Sequence, residues 1–134
     1  MPMTATQILR HSTSREFPAS YVKFKQVKIG RNRQTQVPTI KSMSYSTHTF
    51  LGERKNYQPN QYVSIVEIHG RYVVVGCSCD DFWAVWEVAL SARGAARVEY
   101  SNGERPDNKN PKMVPGCCKH LHRLLSRLIE KGKL

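Results

Sequence analysis

Tyr62-Val63-Ser64-Ile65-Val66-Glu67-Ile68-His69-Gly70-Arg71-Tyr72-Val73-Val74-Val75-Gly76-Cys77-Ser78-Cys79 decides the fold. Two β-branched runs, 62–68 and 71–75, flank His69-Gly70, a two-residue turn ending in glycine. That pattern predicts a β-hairpin. Its second strand delivers the chain into Gly76 and the pair Cys77/Cys79. Two thiols at the end of a rigid strand are well placed to hold a metal.

Asp80-Asp81 follows, and either aspartate can cap a helix. In 82–92, Phe82, Trp86, Ala89 and Leu90 recur at helical spacing on one face. Gly94 is its expected C-terminal stop. Val98–Tyr100 reads as a short strand. Residues 103–116 hold three prolines and read as a loop. Lys119–Lys131 is the strongest helix, with Leu121, Leu124, Leu125, Leu128 and Ile129 in one apolar stripe. Trp83 and Trp86, three apart, fit core packing better than base stacking.

That last helix opens on Cys118-Lys119-His120. Cys-x-Cys after a strand and Cys-x-His at a helix start can converge on one point. Three thiolates and an imidazole suit zinc, and four protein ligands close a tetrahedral shell. A closed shell leaves no site for a reactive water, so the expected role is structural. The candidate ligands are Cys77, Cys79, Cys118 and His120, for one Zn²⁺. Cys117, three residues before His120, is a competing ligand by geometry. His122 points about 200° around the helix from His120 and is a bystander. His11, His48 and His69 are scattered and carry no site.

Upstream of the hairpin the pattern is weaker. Thr4 and Gln7 have capping-box spacing, and Pro18 is expected to end any helix there. Val22 and Phe24 alternate with Lys23 and Lys25, while Val27 and Ile29 fall on the opposite parity. A bulge near Gln26 would reconcile them. Residues 30–38 read as a loop and 42–50 as a second extended stretch. The expected organisation is a basic, partly extended N-terminal arm (1–41) and a zinc module (42–134) with core 62–131 and insertion 80–116. The fold class is α+β: a zinc-stabilised ββα unit of hairpin and C-terminal helix, with an inserted helix.

The 134 residues carry a formal net charge of +11, distributed as +8 over 1–60, −2 over 61–100 and +5 over 101–134. Such a charge implies a polyanionic partner. Candidate nucleic-acid contacts are Lys23, Lys25, Lys28, Arg31 and Arg33, with Lys119, Arg123 and Arg127 on the C-terminal helix. Tyr21, Phe24, Tyr45, Tyr57 and Tyr62 are interleaved with Lys23, Lys25, Lys41 and Lys55, and fit a nucleic-acid surface or ordinary strand packing. No apolar run reaches the roughly 18 residues of a membrane span. The start, Met-Pro-Met-Thr-Ala-Thr, lacks a signal-peptide pattern. An intracellular place, or a virion, is therefore expected, with cysteines reduced.

The Cys-x-Cys…Cys-x-His arrangement over Val63–Ile129 resembles the SWIM-type zinc finger. Gly76-Cys77-Ser78-Cys79-Asp80-Asp81-Phe82 is similar to the first half of that motif. Pro115-Gly116-Cys117-Cys118-Lys119-His120-Leu121 is similar to the second. By resemblance Cys118, not Cys117, is the third ligand. The gap of 38 residues between Cys79 and Cys118 is long for the family. Its modules occur in chromatin proteins, transposases, recombination accessory factors and some phage proteins, and bind DNA or protein.

The expected function is a non-enzymatic zinc module that binds nucleic acid within a nucleoprotein assembly. The alternative is a structural protein of a large assembly, such as a phage virion, with its arm ordered against protein partners. Neither a membrane nor a small-molecule substrate is expected. The chain has no phosphate-binding loop and no Ser/His/Asp grouping. Asp80 and Asp81 fit capping, or support of the thiolates, better than a carboxylate dyad.

Overall fold

A computed structural model describes every residue except 1, 47, 50, 51, 54–59, 100, 102, 104, 105, 107 and 108; at 48, 49, 52 and 53 it gives backbone alone. In chain order the elements are α1 (Ala5–Arg10), a 3₁₀ turn (Thr13–Arg15), α2 (Glu16–Ala19), β1 (Val22–Arg31), β2 (Pro38–Ser46), β3 (His48–Thr49), β4 (Gly52–Glu53), β5 (Tyr62–His69), β6 (Tyr72–Cys77), a π-helical turn (Phe82–Trp86), α3 (Glu87–Ser91) and α4 (Lys119–Glu130). The class is α+β. Its centre is a four-stranded antiparallel sheet in the order β1-β2-β5-β6.

The hairpin forms with its turn displaced by one residue. His69 pairs with Tyr72, so Gly70-Arg71 makes the turn. Gly70 takes φ +67°, the left-handed value that a II′ turn needs at its first central position. The hairpin does not stand alone as a two-stranded unit, because β2 pairs along β5 from Thr39–Glu67 to Ser44–Tyr62.

Residues 1–41 are not a separate arm. The expected boundary at 41 falls inside β2, which pairs with β1 on one side and β5 on the other. Met3, Ala5, Ile8, Ala19, Val22 and Ile40 are buried. The expected capping box forms: Gln7 N–H donates to Thr4 Oγ1 and Thr4 N–H to Gln7 Oε1. Pro18 lies inside α2, whose first turn needs no proline N–H, and the helix stops one residue later.

The register shift in β1 falls between Phe24 and Gln26, where the parity change placed a bulge. Its effect is geometric. Val22, Phe24, Val27 and Ile29 sit opposite Ser46, Ser44, Ser42 and Ile40. Those partners alternate along β2, so the bulge keeps all four apolar residues of β1 on one face. The same face holds Tyr62, Ser64 and Val66 of β5 and Val75 and Cys77 of β6.

Helix α4 crosses that face and touches all four strands and α1 and α2 near them. Leu121, Leu124, Leu125 and Leu128 are buried against it. Small Ser42, Ser44, Ser46 and Ser64, all buried, lie on this face and leave room for the helix backbone. Among the described residues the Ser42 and Ser44 hydroxyls have no hydrogen-bond partner, a cost of about 1–3 kcal/mol each.

The insertion adds to the core. Phe82, Trp86, Ala89 and Leu90 are buried, as are Ala95 and Ala96. Gly94 (φ +70°) ends α3 with Ala95 N–H donating to Leu90 O and Gly94 N–H to Ser91 O, a Schellman stop. Asn110 staples the loop, donating to Val85 O and Val114 O and accepting from Val114 N–H. The strand expected at Val98–Tyr100 is not one: 98 and 99 are irregular, and 100 lies outside the described residues. Their backbone is instead tied to a side chain, since the buried Glu87 carboxylate accepts from Glu99 N–H and Ser101 N–H.

Candidate metal centre

Strand β6 ends at Cys77. Ser78 prolongs the pairing with β5: its N–H donates to Val63 O at 3.0 Å, and its Oγ accepts from Val63 N–H at 2.9 Å. Both ends of the Cys-x-Cys pair are thereby fixed. Cys79 follows at the bend into the next helix. Cys118 is the extended residue just before α4, with His122 N–H donating to its carbonyl at 2.9 Å. His120 sits in the first turn. The sulfur and imidazole atoms of Cys77, Cys79, Cys118 and His120 all lie within 4.8 Å of one another.

All four residues are buried, none more than 4% exposed. A tetrahedral site with metal–sulfur bonds of about 2.3 Å spaces its ligand atoms about 3.8 Å apart, so the cluster need contract only slightly around an ion. Among the described residues both buried His120 nitrogens have no hydrogen-bond partner, which is costly for so polar a ring. Tyr62 holds that ring in place, with centroids 4.9 Å apart. An imidazole nitrogen set among three sulfurs, with no geometric hydrogen bond among the described residues, is what a metal would satisfy. The group can hold one metal ion.

The three thiols are shifted in opposite directions by their mutual contacts and burial. Hydrogen bonds from Cys118 and Cys79 draw the Cys77 thiol well below its ordinary value, against the opposing effect of burial. Ser64 Oγ–H donates to the same sulfur at 3.4 Å. Burial first, then the bonds to Cys77 and Cys79, push the Cys118 thiol well up. At Cys79 the bond to Cys118 pulls down, but the bond to Cys77 and burial outweigh it, and the thiol is raised.

Cys117 stands outside this cluster. It is fully buried, its N–H donates to Ser12 Oγ at 2.8 Å, and burial pushes its thiol up to about 12. His122 is half-buried, with Ser126 Oγ 3.5 Å from Nδ1. Neither aspartate acts as expected. Asp81 makes no helix-cap bond. It takes a two-pronged bond from Arg15, with Nε and Nη2 each at 2.9 Å, and accepts from Trp86 Nε1. Asp80 accepts from Trp83 Nε1. The Arg15 guanidinium also lies over the Trp86 ring, 5.2 Å from its centroid. Arg15–Asp81 and Ser12–Cys117 tie the N-terminal segment to both halves of the centre, and no local pattern announced them across 66 and 105 residues.

The basic candidates fall into two groups. Lys23, Lys25, Lys28, Arg31 and Arg33 are exposed on β1 and its turn, and Arg123 and Arg127 are exposed on α4; Lys119 is half-buried. Arg127 lies over Phe24, 5.3 Å from the ring centroid, where α4 meets β1. Trp86 is core, as expected, while Trp83 is 40% exposed. Tyr57, Lys55 and the side chain of His48 lie outside the described residues. Among the described residues no helix is long and apolar enough to cross a membrane.

The chain matches no protein-family model, no curated protein and no solved structure. The residues themselves therefore carry the functional reading.

Proposed function

We propose that the protein is a non-enzymatic, SWIM-like module that holds one structural Zn²⁺ and binds nucleic acid through its basic faces. The observation that carries the first half is the buried Cys₃His group, whose imidazole has no hydrogen-bond partner among the described residues. Zinc bound there would cross-link the end of β6 to the start of α4. Cys77, Cys79, Cys118 and His120 would fill all four positions, which supports a structural role over a catalytic one. The protein's own part is orientation: Ser64 and Ser78 fix the first pair, and Tyr62 and the α4 backbone fix the second. A thiolate at the N-terminus of α4 also gains from the helix dipole.

The nucleic-acid half is supported by the charge of +11 and by the exposed basic side chains on β1, its turn and α4. Such contacts exchange condensed counterions for Lys and Arg, so affinity falls with salt by a log–log slope of about −0.9 per duplex phosphate neutralised. If all seven exposed candidates engage duplex phosphates, the slope approaches about −6. Fluorescence titration of duplex DNA, single-stranded DNA and RNA across a salt series, with zinc content measured on the same sample, tests both halves. Absent zinc defeats the first. Absent or salt-independent binding at low ionic strength defeats the second.

A further inference from the structure

The two edges of the sheet are treated differently. The outer edge of β6 is closed: Val73 N–H donates to Met3 O and Val75 N–H to Ala95 O, at 2.9 and 2.8 Å. Strand β1 forms the other edge and, among the described residues, has no strand beyond it. It is ten residues long. On the α4 side of β1, Val27 and Ile29 are 40% and 64% exposed. On the opposite side stand Lys23 and Lys28, with Lys41 of β2 paired to Lys28. Residues 17–52 contain six Lys or Arg and no acid.

We infer that the free edge of β1 is a docking strand for an extended protein segment whose side chains alternate acidic and apolar. The chemistry follows from strand geometry. A strand added to an edge gains main-chain hydrogen bonds, and its side chains point alternately to the two faces. On one face it meets Val27 and Ile29, which an apolar residue would cover. On the other it meets Lys28, with Lys41 paired behind it and Lys23 just beyond the bulge, a basic strip that an acid would pair. The bulge between Phe24 and Gln26 confines regular pairing to Gln26–Arg31, a span of about six residues or 20 Å. Lysines and bulges also keep unwanted strands off an edge. Here they reject neutral and basic strands and admit an acidic one. A second copy is disfavoured, since pairing two β1 edges brings lysines together, and like charges directly opposite destabilise. The inference holds whether or not the protein binds zinc or nucleic acid.

The probe is a fluorescent peptide of about eight residues alternating glutamate and valine, titrated against the full chain. Two controls of equal charge carry N-methyl groups on one or the other alternate set of residues. The expected result is saturable binding that at least one methylated control loses by roughly tenfold or more, the share of affinity carried by a few hydrogen bonds. Ile29→Asp should weaken binding by a similar factor with an unchanged circular-dichroism spectrum. Lys23→Glu with Lys28→Glu should transfer preference to a lysine–valine peptide. Equal binding of all three glutamate peptides would mean attraction by charge alone and would overturn the inference. So would no peptide binding beside measurable duplex binding, or a dimer that Ile29→Asp converts to monomer.

Discussion

Replacing His120 by Ala should change stability by amounts that differ in sign or size according to whether metal is present. Without metal, both ring nitrogens are buried and have no hydrogen-bond partner among the described residues, at about 1–3 kcal/mol each. Alanine removes that penalty and leaves a cavity, which costs about 2–5 kcal/mol for a large-to-small change. The two nearly cancel, so the metal-free variant should unfold within about 2 kcal/mol of the parent. With metal, one of four ligands disappears. Structural zinc contributes about 10–16 kcal/mol in small domains, so a quarter of that is about 2.5–4 kcal/mol, or two to three orders of magnitude in zinc affinity. Because whole domains are stable by only about 5–15 kcal/mol, the zinc-loaded parent and variant should differ plainly. The assay is urea unfolding of both proteins with excess zinc and with chelator, followed at the tryptophans. If the metal-free chain does not fold, chelator competition reads the affinity change directly. Equal destabilisation with and without zinc would refute the reasoning, because His120 would then be packing alone.

The two adjacent cysteines should separate cleanly. Cys118→Ser should abolish stoichiometric zinc, while Cys117→Ala should keep it, as mass spectrometry under native conditions can show. The Cys117 thiol is held to about 12 by burial, against an ordinary 9.0. In that window the folded chain keeps a proton that the unfolded chain has lost, so stability falls as pH rises from about 9 to 12. The loss reaches about 4 kcal/mol at roughly 1.4 kcal/mol per pH unit. Cys117→Ala should flatten this alkaline decline in unfolding scans; a variant that declines as steeply as the parent would count against it. Gly116→Ala should destabilise by about 1–3 kcal/mol through overpacking. An added Cβ would meet His11 O at 2.7 Å, Ser12 Oγ at 2.8 Å and Trp86 Cζ3 at 2.9 Å. A thermal midpoint equal to the parent's would show that this junction yields more easily than its backbone contact implies.

Much of the C-terminal half was legible because its signals are local. The β5–β6 hairpin, the leucine face of α4 and the ends of both helices follow from residues a few positions apart. The turn at Gly70-Arg71 was misplaced by one residue, since β-branching sets where strands run but pairing sets where they meet. The N-terminal half looked like an arm because β1 is bulged and largely solvent-exposed, which blurs its alternation. Ile8 gave no sign that it is wholly buried; nothing within a short helix says what will cover it.

The sequence by itself determined the α+β class, the bulge in β1, and two ligand pairs placed at a strand end and a helix start. Each depends on period or spacing within one element. Only the tertiary structure decided that residues 22–46 complete the sheet. It brought Cys118 and not Cys117 into the cluster, as the resemblance implied, and it alone decided that Asp81 binds Arg15 instead of capping a helix. Those outcomes depend on contacts between distant parts of the chain. They are settled by which backbone groups and charges must find partners once the core closes, and that demand has no local signature.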